Sequence, residues 1–280
     1  MEIPFTKMHG LGNDFIVIDG VSQSVNIDPA RVKSLADRRF GIGFDQLLLV
    51  EPPSSPEADF DYRIFNVDGS EVEHCGNGAR CFAAFVREKG LTTKNPVAVN
   101  TLNRTLILET DAAGNVTVDM GAPELQPEKI PFLAPMQSTT YQRELELGGE
   151  AQPIEFSAIS MGNPHAVIIV EDLAKTAVKD IGGALGSHPD FPEGVNVGFM
   201  QVIGPDQIKL RVFERGTGET LACGTGACAA VVAGQSLGLL DTQVSVRLAG
   251  GSLSIEWSGG ESSVLMSGPA TTVYEGTLEL

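Results

Sequence analysis

Basic residues are scarce. The chain carries 19 Lys and Arg against 36 Asp and Glu, for a formal net charge of −17. So acidic a surface repels phosphate backbones and anionic lipid. No Lys/Arg cluster offsets it, so neither a nucleic acid nor a membrane is expected as partner. Cysteine is also rare, and four in 280 residues do not make a disulfide scaffold. No apolar run approaches the ~18 residues of a membrane span. Residues Met1 to Lys7 lack the basic stretch and apolar core of a secretory leader. A cytoplasmic location with reduced thiols is therefore expected. Aromatics are few, with one Trp and three Tyr, yet the hydrophobic fraction of 42% can fill a core. Glycine is the residue in excess, at 32 positions, which favours tight turns and close backbone approaches.

The glycines gather around two of the cysteines. Cys75-Gly76-Asn77-Gly78-Ala79 returns 148 positions later as Cys223-Gly224-Thr225-Gly226-Ala227. Each copy leads into an apolar run, Cys81 to Val86 in the first and Cys228 to Ala233 in the second. That pattern predicts a helix opening at each cysteine. A thiol there meets the positive end of the helix dipole and first-turn N–H groups, a setting that favours its anion.

Other elements follow from periodicity and punctuation. Asp28-Pro29 gives an N-cap and an N1 proline for a helix to about residue 39, with Gly41 as its stop. Strands are expected at Phe15–Asp19, Gln46–Val50, Tyr62–Asn66, Val97–Leu102, Thr105–Thr110 and Val116–Met120. In the second half they fall near 154–160, 166–170, 195–202, 208–213, 244–248, 253–257, 263–266 and 271–276, with helix inside 174–185. Gly90 should end the first cysteine helix.

The two cysteine segments belong to a longer repeat. Residues 64–71 align without gaps on 212–219. Gly12-Asn13 echoes Gly162-Asn163, Gln46 echoes Asn196, and 118–123 echo 264–269. These matches occur in one order at nearly one offset, which indicates a duplication of about 145 residues. The expected fold is mixed α and β, with two pseudo-symmetric domains, each a barrel-like sheet around a central apolar helix. The second such helix carries no charge, so it should be buried on every side. We place the first domain at 1–122 with the C-terminal strand 270–280, and the second at 123–269.

Each motif has a plainer reading. Cys81 and Cys228 lie inside apolar runs and read as small buried hydrophobes. A structural zinc is disfavoured by the Cys-x5-Cys and Cys-x4-Cys spacings, which no histidine completes. Gly224-Thr225-Gly226 with Ala229 fits a dinucleotide pattern formally, but 219–222 make a poor buried strand before it. Glycines that open backbone N–H groups to a small carboxylate suit the sequence better. Asn13, Gln46 and Asn66 in one half, and Asn163, Asn196, Glu214 and Arg215 in the other, occupy repeat-related places. Singly each reads as a turn or surface residue; together they form a polar set beside the cysteines. Arg215 suits a carboxylate and Glu214 an ammonium. His165, after Asn163-Pro164, reads either as a surface histidine or as part of the site. His74 beside Cys75 reads the same way.

Two thiols of this kind suit a two-base reaction at a carbon acid. One thiolate removes a proton, the opposite thiol delivers one, and configuration inverts. Helix N-termini aimed at the carboxylate would stabilise the developing enediolate, so neither metal nor cofactor is required.

Gly10-Leu11-Gly12-Asn13-Asp14-Phe15, Phe65 to Ser70, Cys75 to Cys81, Gly162-Asn163-Pro164-His165, Gly194-Val195-Asn196-Val197, Glu214-Arg215-Gly216 and Ala222 to Gly226 together resemble the diaminopimelate epimerase family. The resemblance implies a pyridoxal-independent isomerase that converts LL- to meso-diaminopimelate for lysine and peptidoglycan synthesis, commonly as a homodimer. By it, Cys75 and Cys223 are base and acid. The backbones of Gly76, Asn77, Gly224 and Thr225 hold the reacting carboxylate. Asn66, Asn163, Asn196, Glu214 and Arg215 hold the distal amino-acid end, and Asn13 and Gln46 complete the pocket. His165 and Glu214 tune the thiols. A cofactor-independent proline racemase is the nearest rival, and a redox-responsive amino-acid binder the rival of another class.

Overall fold

A computed structural model describes residues 2–72 and 75–279, so His74 lies outside the described residues. The chain forms two compact units, residues 1–119 with 267–280 and residues 120–266.

In the first unit the elements are β1 (Glu2–Gly10), β2 (Asn13–Asp19), α1 (Pro29–Ala36), β3 (Gln46–Glu51), β4 (Phe60–Asn66), β5 (Glu71–Val72), α2 (Gly76–Glu88), β6 (Val97–Asn100), β7 (Thr105–Thr110) and β8 (Val116–Asp119). The second unit holds β9 (Tyr141–Leu147), β10 (Glu150–Ser160), β11 (Pro164–Ile169), α3 (Val178–Gly186), β12 (Asn196–Gly204), β13 (Gln207–Glu214), β14 (Gly218–Thr220), α4 (Gly224–Ser236), β15 (Gln243–Leu248) and β16 (Gly251–Glu256). β17 (Leu265–Gly268) crosses the boundary, and β18 (Thr271–Glu279) returns along β1 in the first unit.

The duplication is visible strand by strand. β1–β2 and β10–β11 are antiparallel, and β2–β3 and β11–β12 are parallel. β3–β4 and β12–β13 are antiparallel, and β4–β6 and β13–β15 are parallel. Registers agree as well: Phe15 pairs with Gln46 where His165 pairs with Asn196. The helix stops repeat too. Gly90 (φ +66°) follows α2 and Gly238 (φ +71°) follows α4, each in the left-handed conformation glycine adopts without penalty.

Phe15–Ile18 and Leu47–Val50 are continuous apolar runs because their sheet is covered on both faces. Ile16, Ile18, Leu47 and Leu49 join Val32 and Leu35 of α1 on one face. Phe15 and Leu48 lie on the other, against Gly78 of α2. α2 touches β1, β2 and β3 as well as β7 and β8, so the sheet curls around it. α4 is held likewise by β10 to β13 and β16. Its residues Gly226 to Gly234 are all buried, in keeping with its lack of charge. The outer face of the second sheet packs on α3 through Ala166, Ile168, Val197 and Phe199.

Several boundaries differ from the sequence reading. α1 ends at Ala36, because Asp37 leaves the helical region and its carboxylate caps the N–H groups of Arg39 and Phe40. The second-half helix starts at Val178, after a turn in which Thr176 Oγ1 donates to the Asp172 carbonyl. β1, β9 and the short β5 and β14 are additional.

Candidate active site

Cys75 and Cys223 are the N-caps of α2 and α4, at φ −138°, ψ 118° and φ −122°, ψ 110° respectively. Neither helix carries an acid in its first turn. The sulfurs therefore sit beside first-turn N–H groups that have no partner within the helix. The glycine two positions into each helix has a local cause. A Cβ on Gly226 would stand 3.2 Å from Cys223 Sγ, and one on Gly78 would stand 2.3 Å from the Tyr62 hydroxyl.

The second unit gathers one polar cluster around Cys223. Thr225 Oγ1 lies 3.6 Å from the sulfur and accepts from Asn163 Nδ2 at 3.3 Å. Asn163 Oδ1 in turn contacts His165 Nε2 at 3.1 Å. Beside them Asn196 Oδ1 accepts the Arg215 backbone N–H at 2.9 Å, and Asn196 Nδ2 donates to the Pro164 carbonyl at 3.2 Å. Arg215 Nη1 donates to the Glu193 carbonyl at 2.6 Å. Gly194 (φ +71°) packs so closely that a Cβ there would lie 3.0 Å from Arg215 Cδ. Glu214 accepts from the Thr220 hydroxyl and also bonds the Cys223 sulfur.

The first unit has the matching cluster with different chemistry. Asn77, at the position of Thr225, donates through Nδ2 to Asn13 Oδ1 at 3.1 Å. Cys75 Sγ lies 3.8 Å from that same oxygen. Gln46 Nε2 donates to Asn66 Oδ1 at 3.0 Å across β3 and β4, and Asn66 Nδ2 reaches Ser70 Oγ at 3.3 Å. Asn66 occupies the strand-end position that Glu214 holds in the second unit, so the repeated frame carries a neutral amide in one half and a carboxylate in the other.

The charges in the clusters are set by burial. Burial pushes the Cys223 thiol well above its ordinary value, and the nearby Glu214 carboxylate adds to this. Hydrogen bonds from Thr225 and the Gly226 N–H work the other way and do not prevail. The anion-favouring effect expected of a helix start is thus outweighed at this sulfur, and Cys223 is a thiol at neutral pH. His165 is buried rather than on the surface. Burial, and then the Arg215 cation, lower it to about 3, so the imidazole is neutral.

Sequence reasoning missed the supports beneath Cys75. Arg80 is fully buried; its Nη2 donates to Asn77 Oδ1 at 3.0 Å and its Nε to the Pro269 carbonyl at 3.2 Å. Asp45 accepts from Asn13 Nδ2 at 2.9 Å. The signal for Arg80 was present, as a lone charge inside the apolar run that opens α2. A Cβ on Gly10 would lie 2.9 Å from Arg80 Nη2, so the hairpin glycine leaves room for the guanidinium.

Comparison with solved structures defines the fold. A phenazine biosynthesis protein of the PhzF family from Bacillus anthracis aligns at TM-score 0.69 with 16% identity, over 100% of both chains. A hydroxyproline epimerase from Agrobacterium vitis aligns at 0.66 with 16% identity, over 99% of this chain and 92% of that one. The architecture is the two-domain fold common to proline racemase-like and PhzF-like proteins. Sequence comparison narrows this. The model of the diaminopimelate epimerase family matches residues 5–126 and 157–273. Relatives named diaminopimelate epimerase from Teredinibacter turnerae and Nitrosomonas europaea are each 56% identical over 280 residues, with both chains fully covered. This chain belongs to the diaminopimelate epimerase family.

Proposed function

We propose that the chain interconverts LL- and meso-diaminopimelate by direct proton transfer at an α-carbon, in lysine and peptidoglycan precursor synthesis. The observation that carries this reading is the pair of thiol N-caps, alike in backbone geometry and placed on repeat-related helices, in a chain of this family. Cys75 and Cys223 act on one substrate, one as base and one as acid, and exchange roles when the direction reverses. In one direction Cys223, protonated at rest, supplies the incoming proton.

The proton at the reacting carbon is weakly acidic, so charge must be stabilised as it moves onto the carboxylate. First-turn N–H groups of Gly76, Asn77, Gly224 and Thr225 supply preorganised donors for it, with the helix dipoles behind them. No cofactor enters the scheme. Asn66, Asn163, Asn196, Glu214 and Arg215 hold the distal amino-acid end. Arg215 binds its carboxylate and Glu214 its ammonium. Asn13 and Gln46 complete the pocket. His165 and Glu214 tune the sulfurs. The neutral imidazole acts on Cys223 through Asn163 and Thr225, and Glu214 holds the Cys223 proton in place. The family resemblance also supports a homodimer in the cytoplasm.

Proline serves as the discriminating control, because it has no second amino-acid end for Glu214 and Arg215 to bind. Purified protein incubated in D2O with each substrate should deuterate the α-carbon of diaminopimelate and leave proline unlabelled by mass spectrometry. Labelling of proline alone would assign the chain to the racemase rival.

A further inference from the structure

Arg80 and Asp45 stand at opposite ends of a line of side-chain amides beneath Cys75. Arg80 Nη2 donates to Asn77 Oδ1 at 3.0 Å, Asn77 Nδ2 donates to Asn13 Oδ1 at 3.1 Å, and Asn13 Nδ2 donates to Asp45 Oδ2 at 2.9 Å. Ordinarily an amide can turn over and exchange its oxygen for its nitrogen. Here it cannot. A guanidinium only donates and an ionised carboxylate only accepts, so both amides between them are fixed in one orientation. Asp45 is itself held, by Arg38 Nη2 at 2.7 Å and by the Asp14 backbone N–H at 3.1 Å.

The line has a consequence for the sulfur beside it. Cys75 Sγ is 3.8 Å from Asn13 Oδ1, so the Asn13 side chain turns its carbonyl oxygen, and not its N–H groups, toward the sulfur. We infer that Arg80 and Asp45 are positioning residues for Cys75: together they lock Asn13 so that it offers the sulfur only an acceptor, which keeps the proton on Cys75 in the unliganded protein. An acceptor stabilises S–H, whereas an N–H turned toward the sulfur would stabilise the thiolate. The second unit has no such lock, since Thr225, a hydroxyl able to donate or accept, takes the place of Asn77. Nor does it have the cation: its position 228, which matches Arg80, is a cysteine. Among the described residues, titratable groups that interact with the Cys75 sulfur include Tyr62 on β4 and Cys81 within α2, both fully buried. The charges nearest the far end of the line are Lys7, Asp14 and Arg38.

The inference rests on reading Cys75 as a proton-transferring sulfur, but its test does not use turnover. Iodoacetamide alkylation of Cys75, followed on its own peptide by mass spectrometry across pH 6 to 10, reports the thiolate directly. Each end alone orients both amides, so Arg80→Gln and Asp45→Ala are combined to free Asn13 to turn, with Arg80→Gln alone as the reference that carries the same loss of cation. The apparent pKa of Cys75 should then fall by about one unit, with alkylation at pH 7 rising about threefold, since the more acidic thiolate is also the weaker nucleophile. Asp45→Ala alone leaves Arg80 to hold Asn77, and through it Asn13, and should behave as the unaltered protein does. A profile in the double variant equal to that of Arg80→Gln alone, or a shift already complete in Asp45→Ala alone, would overturn the inference. An unaffected profile would still leave the epimerase reading intact, and that reading fails separately if Cys75→Ala remains active.

Discussion

His165 illustrates how one residue couples the site to stability. Its neutral ring is buried, with Nε2 on Asn163 and a pKa lowered to about 3 from 6.5. Below pH 6.5 the unfolded chain takes up a proton that the folded chain refuses. The stability linked to His165 is therefore complete above pH 6.5 and is lost as pH falls toward about 3. At roughly 1.4 kcal/mol per pH unit, the loss between pH 7 and pH 4 is about 3 kcal/mol. Asp14 does not confuse the comparison. Burial opposes its charge, but Arg38 and Lys7 outweigh this and hold it at about 2, so its contribution is lost only below its ordinary value of 3.8. In urea unfolding, His165→Gln should lose about 3 kcal/mol less than the parent on going from pH 7 to pH 4. An equal loss in both proteins would remove His165 as its source. At this scale the sequence was informative about which residues cluster and silent about their protonation. Asn163, His165, Asn196, Glu214, Arg215 and Cys223 are legible from pattern, and Thr225 from the family resemblance; they form one cluster. That burial would defeat the helix dipole at Cys223 depends on the walls of the site, which no local pattern encodes.

At the scale of elements, α2 is held by how closely it approaches Tyr62. That ring is buried 4.8 Å from Phe82, and its hydroxyl lies 2.3 Å from where a Cβ on Gly78 would be. Gly78→Ala must move either the helix or the ring, at a cost of about 2–3 kcal/mol. Gly90→Ala meets nothing within 4 Å but forces alanine to φ +66°, at about 1 kcal/mol. Thermal melts of the two variants should fall in that order, and only Gly78→Ala should slow turnover, because it displaces the helix that begins at Cys75. A larger loss for Gly90→Ala would mean that close packing is not what sets the position of α2. Elements with strong punctuation were legible, including the Asp28 and Pro29 start of α1 and the Gly90 stop of α2. β1 was not, since Pro4 interrupts its pattern and its partners, β2 and β18, are supplied by distant sequence. β9 escaped notice because Gln142, Arg143, Glu144 and Glu146 dilute its apolar positions, and its pairing with β10 makes it a strand.

Across the whole molecule the duplication is the organising fact. It is legible in the sequence from a few short matches, and the strand pairings repeat it through parallel and antiparallel steps alike. Such a repeat yields two helices that each begin with a cysteine, and later divergence gives the halves different polar partners. Arg80 faces Cys228 in the alignment, Asn77 faces Thr225, and Asn66 faces Glu214. A symmetric frame with unlike halves suits a substrate whose two ends must be told apart. The proposed two-base mechanism requires both thiols, one for each side of the carbon. Cys75→Ala and Cys223→Ala, each given LL-diaminopimelate in D2O, test it most directly by the rate at which meso product carrying α-deuterium forms. Both variants should lose at least about a thousandfold in that rate, on the scale of general acid–base catalysis. Product formed at near the parental rate by either variant would contradict the two-base mechanism.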